Sequence, residues 1–211
     1  KEAAMRVDEF VAISDFVKTR IKKYYDRDAN VIYPPVETQK VYISDKVDDY
    51  FLMVGRLVPY KRFDLAVKVF SAMGKALKIV GDGPERKRLE KIAGPTIEFL
   101  RLVSDYKMPD IYARAQAVIF PQEEDFGIVP IESMASGRPV IAYRGGGVLE
   151  TVIGADQLLV SDTNNKSQLT GIFFDDQTEI ALAQAVGQYY RTNWNPETIR
   201  THALKFDKEI C

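Results

Sequence analysis

The stretch Phe120–Glu150, FPQEEDFGIVPIESMASGRPVIAYRGGGVLE, decides the fold. The apolar run ending in Phe120-Pro121 reads as a buried strand. Beyond the acidic loop, Ile128, Ile131, Met134 and Ala135 recur at helical spacing after Gly127. A strand therefore feeds a helix. No Ser, Thr, Asp or Asn stands immediately before Gly127, so the first amides of that helix are left for something else, and the helix dipole makes an anion such as phosphate the natural partner. Glu124 in the loop and Glu132 in the helix are expected to border the same cleft mouth, one on each side of the phosphate position. Carboxylates accept hydrogen bonds from hydroxyls, so a positive helix end between two of them suits a nucleotide sugar. Either glutamate alone reads more simply as a solvated residue; the pairing points to a ligand.

Outward from this stretch, strand and helix patterns alternate. On the N-terminal side lie strand YFLMVG from Tyr50, a helix with Phe63, Ala66, Val67, Phe70 and Met73 on one face, and strand ALKIVG. A GDGP turn follows, with Gly81 and Gly83 at the bend and Pro84 at the first helical position of ERKRLEKIA. Next come strand IEFLRLV, a helix from Met108 to Ala115 and strand AVIFP. After the central helix come strand PVIAY, a helix beyond Gly147, strand GIFFD and helices Glu179–Tyr190 and Pro196–Phe206. The alternation predicts an α/β fold, a Rossmann-like parallel sheet with helices on both faces that binds ligands at the strand C-terminal ends. Before all this, Val7–Ser14 reads as a strand, and Phe16, Ile21 and Tyr24 as a helix.

Composition bounds the rest. The 211 residues are 46% hydrophobic and 28% charged, enough for one sizeable core. Twenty-nine basic against thirty acidic residues give a net charge of −1, which offers no footprint for nucleic acid. One cysteine, Cys211, excludes an internal disulfide framework and fits a reducing compartment. No apolar run reaches the roughly 18 residues that span a bilayer. The opening KEAAMRVDEF has neither a signal core nor an initiator methionine, so the chain is expected to begin in mid-protein. The basic run Lys18, Arg20, Lys22 and Lys23 suits a solvated helix face, or an anionic lipid surface. Asn165-Lys166-Ser167 carries no weight without a secretory signal.

Glu124, Phe126, Gly127 and Glu132, with MASGRPVIAYRGGGVLETV after them and GRLVPYKR and IVGDGPERKRLE before them, resemble the donor-binding lobe of retaining family-4 glycosyltransferases of the GT-B fold. The resemblance covers nearly the whole chain. It implies transfer of a sugar from a nucleoside diphosphate to an acceptor hydroxyl with retention of configuration. It also implies that residues 1–33 are a remnant of the acceptor lobe and linker, that 34–195 form the donor domain, and that 196–211 form a helix returning towards the other lobe. Gly55, Arg56 and Lys61 look like the diphosphate site, and the amides of Gly127, Ile128 and Val129 look like the cradle of the distal phosphate. Glu124 resembles the catalytic residue holding the sugar hydroxyls, with Phe126 beside it, and Glu132 the residue holding the ribose. The base is expected near Val103 and Met108, although Arg101 stands where the family usually has glycine.

EEDFGIVPIE and RLVPYKR resemble most closely bacterial mannosyltransferases that use GDP-mannose in polysaccharide assembly. That implies a cytoplasmic enzyme with no metal or other cofactor, and a glycan or lipid-linked acceptor reached through the other lobe. Peripheral membrane contact of the full-length protein is an open option.

Other classes fit poorly. The one Asp-x-Asp, Asp26-Arg27-Asp28, follows a basic helix and reads as a turn. Neither GDGP nor YRGGG has dinucleotide spacing. His202 is expected on a helix surface, with no nucleophile motif near it. No lysine is placed to hold pyridoxal phosphate, against a phosphorylase-like enzyme. The remaining alternative is a nucleotide-sugar binding module without turnover. The 211 residues alone are expected not to turn over, for want of an acceptor lobe to close the cleft.

Overall fold

A computed structural model describes residue 4 and residues 6–101, 103–155 and 168–210. Six strands form one wholly parallel sheet: β3 (Phe51–Val54), β4 (Leu77–Val80), β5 (Ile97–Leu100), β6 (Val118–Phe120), β7 (Val140–Tyr143) and β8 (Gly171–Phe174). Their spatial order is β5-β4-β3-β6-β7-β8. The first strand of the sheet thus lies in the middle, and the chain winds outward from it in two directions, the doubly wound order. Strands buried on both faces need continuous apolar sequence, and FLMV, VIF and VIAY supply it.

Helices cover both faces. On one lie α2 (Phe63–Met73), α3 (Arg86–Ile92) and α7 (Glu179–Tyr189), around Phe51, Phe70, Ile79, Leu89 and Leu182. On the other lie α4 (Met108–Arg114), α5 (Ile128–Ala135) and α8 (Pro196–Ala203), around Leu52, Tyr112, Ile131, Met134 and Ile199. Side chains cap several helices, as Thr178 does for α7 and Asn195 for α8. Gly74, at φ 63°, ends α2 in the left-handed region.

The start of the chain forms a small unit of its own. β1 (Val11–Ala12) and β2 (Asn30–Val31) pair in parallel on either side of α1 (Asp15–Tyr25). Glu150, on the short α6 (Val148–Thr151), accepts from the amides of Asp15 at 2.8 Å and Phe16 at 2.9 Å, so a carboxylate from the helix after β7 satisfies the N-terminus of α1. Arg20 pairs with Asp125 at 2.7 Å. At the far end, Asp26 caps α1 in the left-handed region at φ 52°, and both Asp26 and Asp28 pair with Lys22, so Asp26-Arg27-Asp28 forms the irregular connection from α1 to β2.

Several boundaries differ from expectation. Pro84 lies in the turn before α3, which begins at Arg86, because Gly83 packs against the Leu57 backbone and the chain straightens into a helix only afterwards. β5 stops at Leu100, where its pairing with β4 ends; Leu102, Cys211 and the Asn165-Lys166-Ser167 sequon lie outside the described residues. The last helix splits into α8 and a 3-10 turn, Leu204–Phe206. Behind that turn, Asp207 hydrogen-bonds Thr38 and bridges to Val36. His202 is not a surface histidine. Its ring packs edge-on against Phe206 at 5.8 Å, and Nε2 donates to the Thr151 carbonyl at 2.7 Å.

Two outcomes follow. At Gly81, φ is 136° and an added Cβ would overlap the Gly55 carbonyl oxygen, so Gly81→Ala should lower thermal stability by at least about 1–3 kcal/mol of backbone strain. Burial holds the His202 imidazole below its usual range, opposed by the Thr151 contact. The unfolded chain therefore takes up this proton first as pH falls. Stability from this group is complete above about pH 6.5 and is lost below it. Melting curves between about pH 7 and 5 should show that slope in the wild type and a shallower one in His202→Asn.

Candidate functional site

β3 and β6 are neighbours whose onward chains diverge, so a crevice opens at their C-terminal ends. From β3 the chain passes Gly55 and the exposed Arg56, then turns back through the 3-10 turn Pro59–Lys61. This return lays Lys61 Nζ over Gly55, 3.2 Å from where a Cβ would stand. From β6 the loop brings Glu124, and its Oε1 meets Lys61 Nζ at 2.7 Å. The two side chains are 21% and 15% exposed, so this pair is better shielded from screening than a surface bridge. Among the described residues the Arg56 guanidinium has no ion pair, which leaves its fork of donors directed to solvent.

The glycines after β7 fix the Glu124 loop, a role their sequence did not announce. Gly146 bridges to Glu124 in parallel, and the Gly147 amide donates to the Glu124 carbonyl at 2.8 Å. A Cβ at Gly146, where φ is 77°, would overlap that carbonyl. The spacing of YRGGG rules out a dinucleotide fingerprint, yet three adjacent glycines are also the signal of one backbone lying directly on another.

Next to this pair, α5 begins at Gly127 with φ 93°, and no side chain caps it. Pro130 has no N–H, so the first-turn donors are Gly127, Ile128 and Val129. Phe126 sits differently from the expected donor contact. It is 3% exposed and stacks on Tyr33 at 5.3 Å, with Phe206 edge-on at 6.2 Å. Its ring anchors the loop in the core and is not presented to a ligand.

Glu132 faces a different space from Glu124. It lines a cavity of about 400 Å³ with Val36, Lys40, Val54, Asp105, Met108, Tyr112 and Ile128. Tyr112 donates to Glu132 Oε2 at 2.7 Å. Burial raises the Glu132 carboxyl above its ordinary range, and the Tyr112 hydrogen bond opposes that; burial first, then Glu132, pushes the Tyr112 hydroxyl well up. Met108 lines the cavity, and Val103 packs, half-buried, with Met108 against the core beneath it. The glutamates therefore do not flank one phosphate position symmetrically. Glu124 belongs with Lys61 and Gly55, and Glu132 with the deeper cavity. Among the described residues, no group of three or more His, Cys, Asp or Glu is placed to hold a metal ion, and no helix is long and apolar enough to cross a membrane.

The family model of glycosyl transferases group 1 matches residues 37–193, which span the whole six-stranded sheet and both halves of this crevice. The chain belongs to that family. An uncharacterized glycosyltransferase of Methanocaldococcus jannaschii is 29% identical over 174 residues, 80% of this chain and 49% of that protein. The O-antigen chain mannosyltransferase RfbU of Salmonella typhimurium is 28% identical over 196 residues, 87% of this chain and 55% of that protein. The chain thus spans about half the length of these curated relatives. Anabaena HepE, solved in complex with UDP, superposes with a TM-score of 0.81 at 19% identity, over 98% of this chain and 62% of that one. The α/β lobe is that of the GT-B glycosyltransferases.

In this group 1 glycosyltransferase the half that carries Arg56 and Lys61 separates from the cavity half. Arg56→Ala and Lys61→Ala should each weaken pyrophosphate binding about tenfold, the worth of one charge-assisted hydrogen bond, and flatten its salt dependence. Glu132→Gln should leave pyrophosphate affinity unchanged, as read by isothermal titration.

Proposed function

We propose that the chain supplies the donor site of a glycosyltransferase that moves a hexose from a nucleoside diphosphate to an acceptor hydroxyl with retention of configuration. One observation carries this reading. The Lys61–Glu124 ion pair and an uncapped helix end stand at the switch point of a parallel sheet, beside a cavity with a buried hydroxyl acceptor. Arg56, Lys61 and the amides of Gly127, Ile128 and Val129 hold the diphosphate. Glu132 takes the ribose hydroxyls, Val103 and Met108 border the base, and Glu124 holds the sugar at the reacting end.

The chemistry follows from where charge develops. As the anomeric C–O bond breaks, the sugar gains oxocarbenium character and the diphosphate gains negative charge. Fixed donors that strengthen with that charge lower the barrier, by roughly 3–4 kcal/mol for one well-placed donor. Lys61 is already held by Glu124 at 2.7 Å, so little reorganisation is needed as charge builds on the leaving group. These groups do the work a metal does elsewhere, and transfer proceeds without one.

GDP-mannose is the favoured donor. In support, relatives of this chain are named as an O-antigen chain mannosyltransferase, as alpha-1,3/1,6-mannosyltransferases and as GDP-mannose-dependent mannosyltransferases. Residues 34–195 are the donor domain, 1–33 the end of an acceptor-side lobe and 196–211 the segment returning towards it. The acceptor, a glycan or a lipid-linked saccharide of polysaccharide assembly, binds through that other lobe in a cytoplasmic enzyme, with peripheral membrane contact of the full-length protein left as an option. A second reading, a binding module without turnover, applies to the 211 residues by themselves, since they span about half of their relatives.

Calorimetric titration with GDP, UDP and ADP, with and without chelator, tests the donor class. GDP should bind selectively, with no effect of chelator and about tenfold or greater loss in Arg56→Ala and Glu132→Ala. The chain alone should bind without transferring mannose. Selective UDP binding would replace the donor, and sugar transfer by the 211 residues would overturn the division of labour.

A further inference from the structure

Glu132 has a partner that the donor reading leaves unexplained. Tyr112, on α4, is 2% exposed, and its hydroxyl donates to Glu132 Oε2 at 2.7 Å from the neighbouring helix α5. Among the described residues that is the hydroxyl's one hydrogen bond, so a buried tyrosine stands where phenylalanine would fill the same space. The carboxylate has about four acceptor positions. The tyrosine takes one on Oε2 and thereby fixes the plane of the group, leaving Oε1 and the rest of Oε2 for the cavity that both residues line.

We propose that Tyr112 is the positioning residue for Glu132, its hydroxyl setting the orientation in which the carboxylate meets the vicinal diol of a nucleotide ribose. The proposal rests on the reading of Glu132 as the ribose acceptor. A cis-diol offers two donors a fixed distance apart, so a carboxylate free to rotate meets one well and a locked one meets both. The same hydrogen bond has a consequence for charge. Burial favours the protonated acid at Glu132, and the Tyr112 donor opposes it. Glu37, Lys40 and Asp105 also face this cavity, but none hydrogen-bonds Glu132; Lys40 is paired with Glu37. Removing the hydroxyl therefore moves the acid limit of diol binding to higher pH.

The test compares GDP with 2′,3′-dideoxy-GDP across neutral to acid pH, using UDP and its dideoxy analogue if UDP is the nucleotide selected by titration. Wild type should prefer the diol. Tyr112→Phe should bind GDP about tenfold more weakly, bind the dideoxy analogue as wild type does, and lose GDP at a higher pH. Discrimination and pH limit unchanged in Tyr112→Phe, or an equal loss for both ligands, overturns the positioning role while Glu132 stands. No discrimination in wild type removes the ribose reading of Glu132 and the proposal with it. Thermal melting checks that the variant is folded. If it is not, Glu132→Gln gives an independent arm: it retains an acceptor for Tyr112 but cannot titrate, so the preference for GDP over its dideoxy analogue should no longer change with pH, and a change that persists contradicts the account.

Discussion

Everything in this molecule depends on β3 and β6 lying side by side while the chain leaves them in opposite directions. Two parallel strands with diverging connections cannot be covered by one helix at their C-terminal ends, so the packing that buries the sheet elsewhere leaves a crevice there. β3 contributes Gly55, Arg56 and, by a tight return, Lys61. β6 contributes Glu124 and the open end of α5. Lys61 and Glu124 stand on connections far apart in sequence, and this topology is what brings the two groups together. Both faces of the sheet are filled by large apolar side chains, which makes the strand ends a rigid platform.

Backbone contacts then sharpen the site. Gly81 lies against the Gly55 carbonyl and Gly146 against that of Glu124, so the two loops that carry charge are each pressed by a glycine from the adjacent connection. Close approach of main chains leaves little freedom to the side chains that project from them, and the Lys61–Glu124 pair forms as a result. Further out, the wall of the deeper cavity is braced by the end of the chain: Asp207 holds Thr38, and the Phe206 carbonyl accepts from the Val36 amide at 3.2 Å. The glycines that shape one half of the site and the C-terminal turn that braces the other are far apart in sequence: Gly81 and Gly146 press on the loops leaving β3 and β6, and the turn holds the segment that precedes β3.

Much of this was legible in the residues. Apolar runs such as FLMV and VIAY admit few alternatives once they alternate with amphipathic segments, and each of the six strands lies where its run predicts. The absence of a cap at Gly127 was legible too, because capping depends on a few local side chains. What local reading missed depends on contacts between distant segments. Phe126 looked like part of a ligand-contacting motif, but Tyr33 and Phe206, both distant in sequence and on opposite sides of it, bury it. His202 looked exposed on an amphipathic helix until the Thr151 carbonyl came into view. Glu124 and Glu132 looked equivalent by spacing, and only the positions of Lys61 and Tyr112 separate an ion-paired carboxylate from a buried, hydroxyl-bonded one.

The central claim is that one nucleoside diphosphate spans both halves of the crevice. A crystal structure of the protein with bound GDP tests it most directly. The account predicts the distal phosphate on the amides of Gly127, Ile128 and Val129 with Lys61 and Arg56 beside it, and the ribose hydroxyls on Glu132 in the cavity. A nucleotide lying elsewhere, or one whose ribose turns away from Glu132 while its phosphates occupy the helix end, would contradict it.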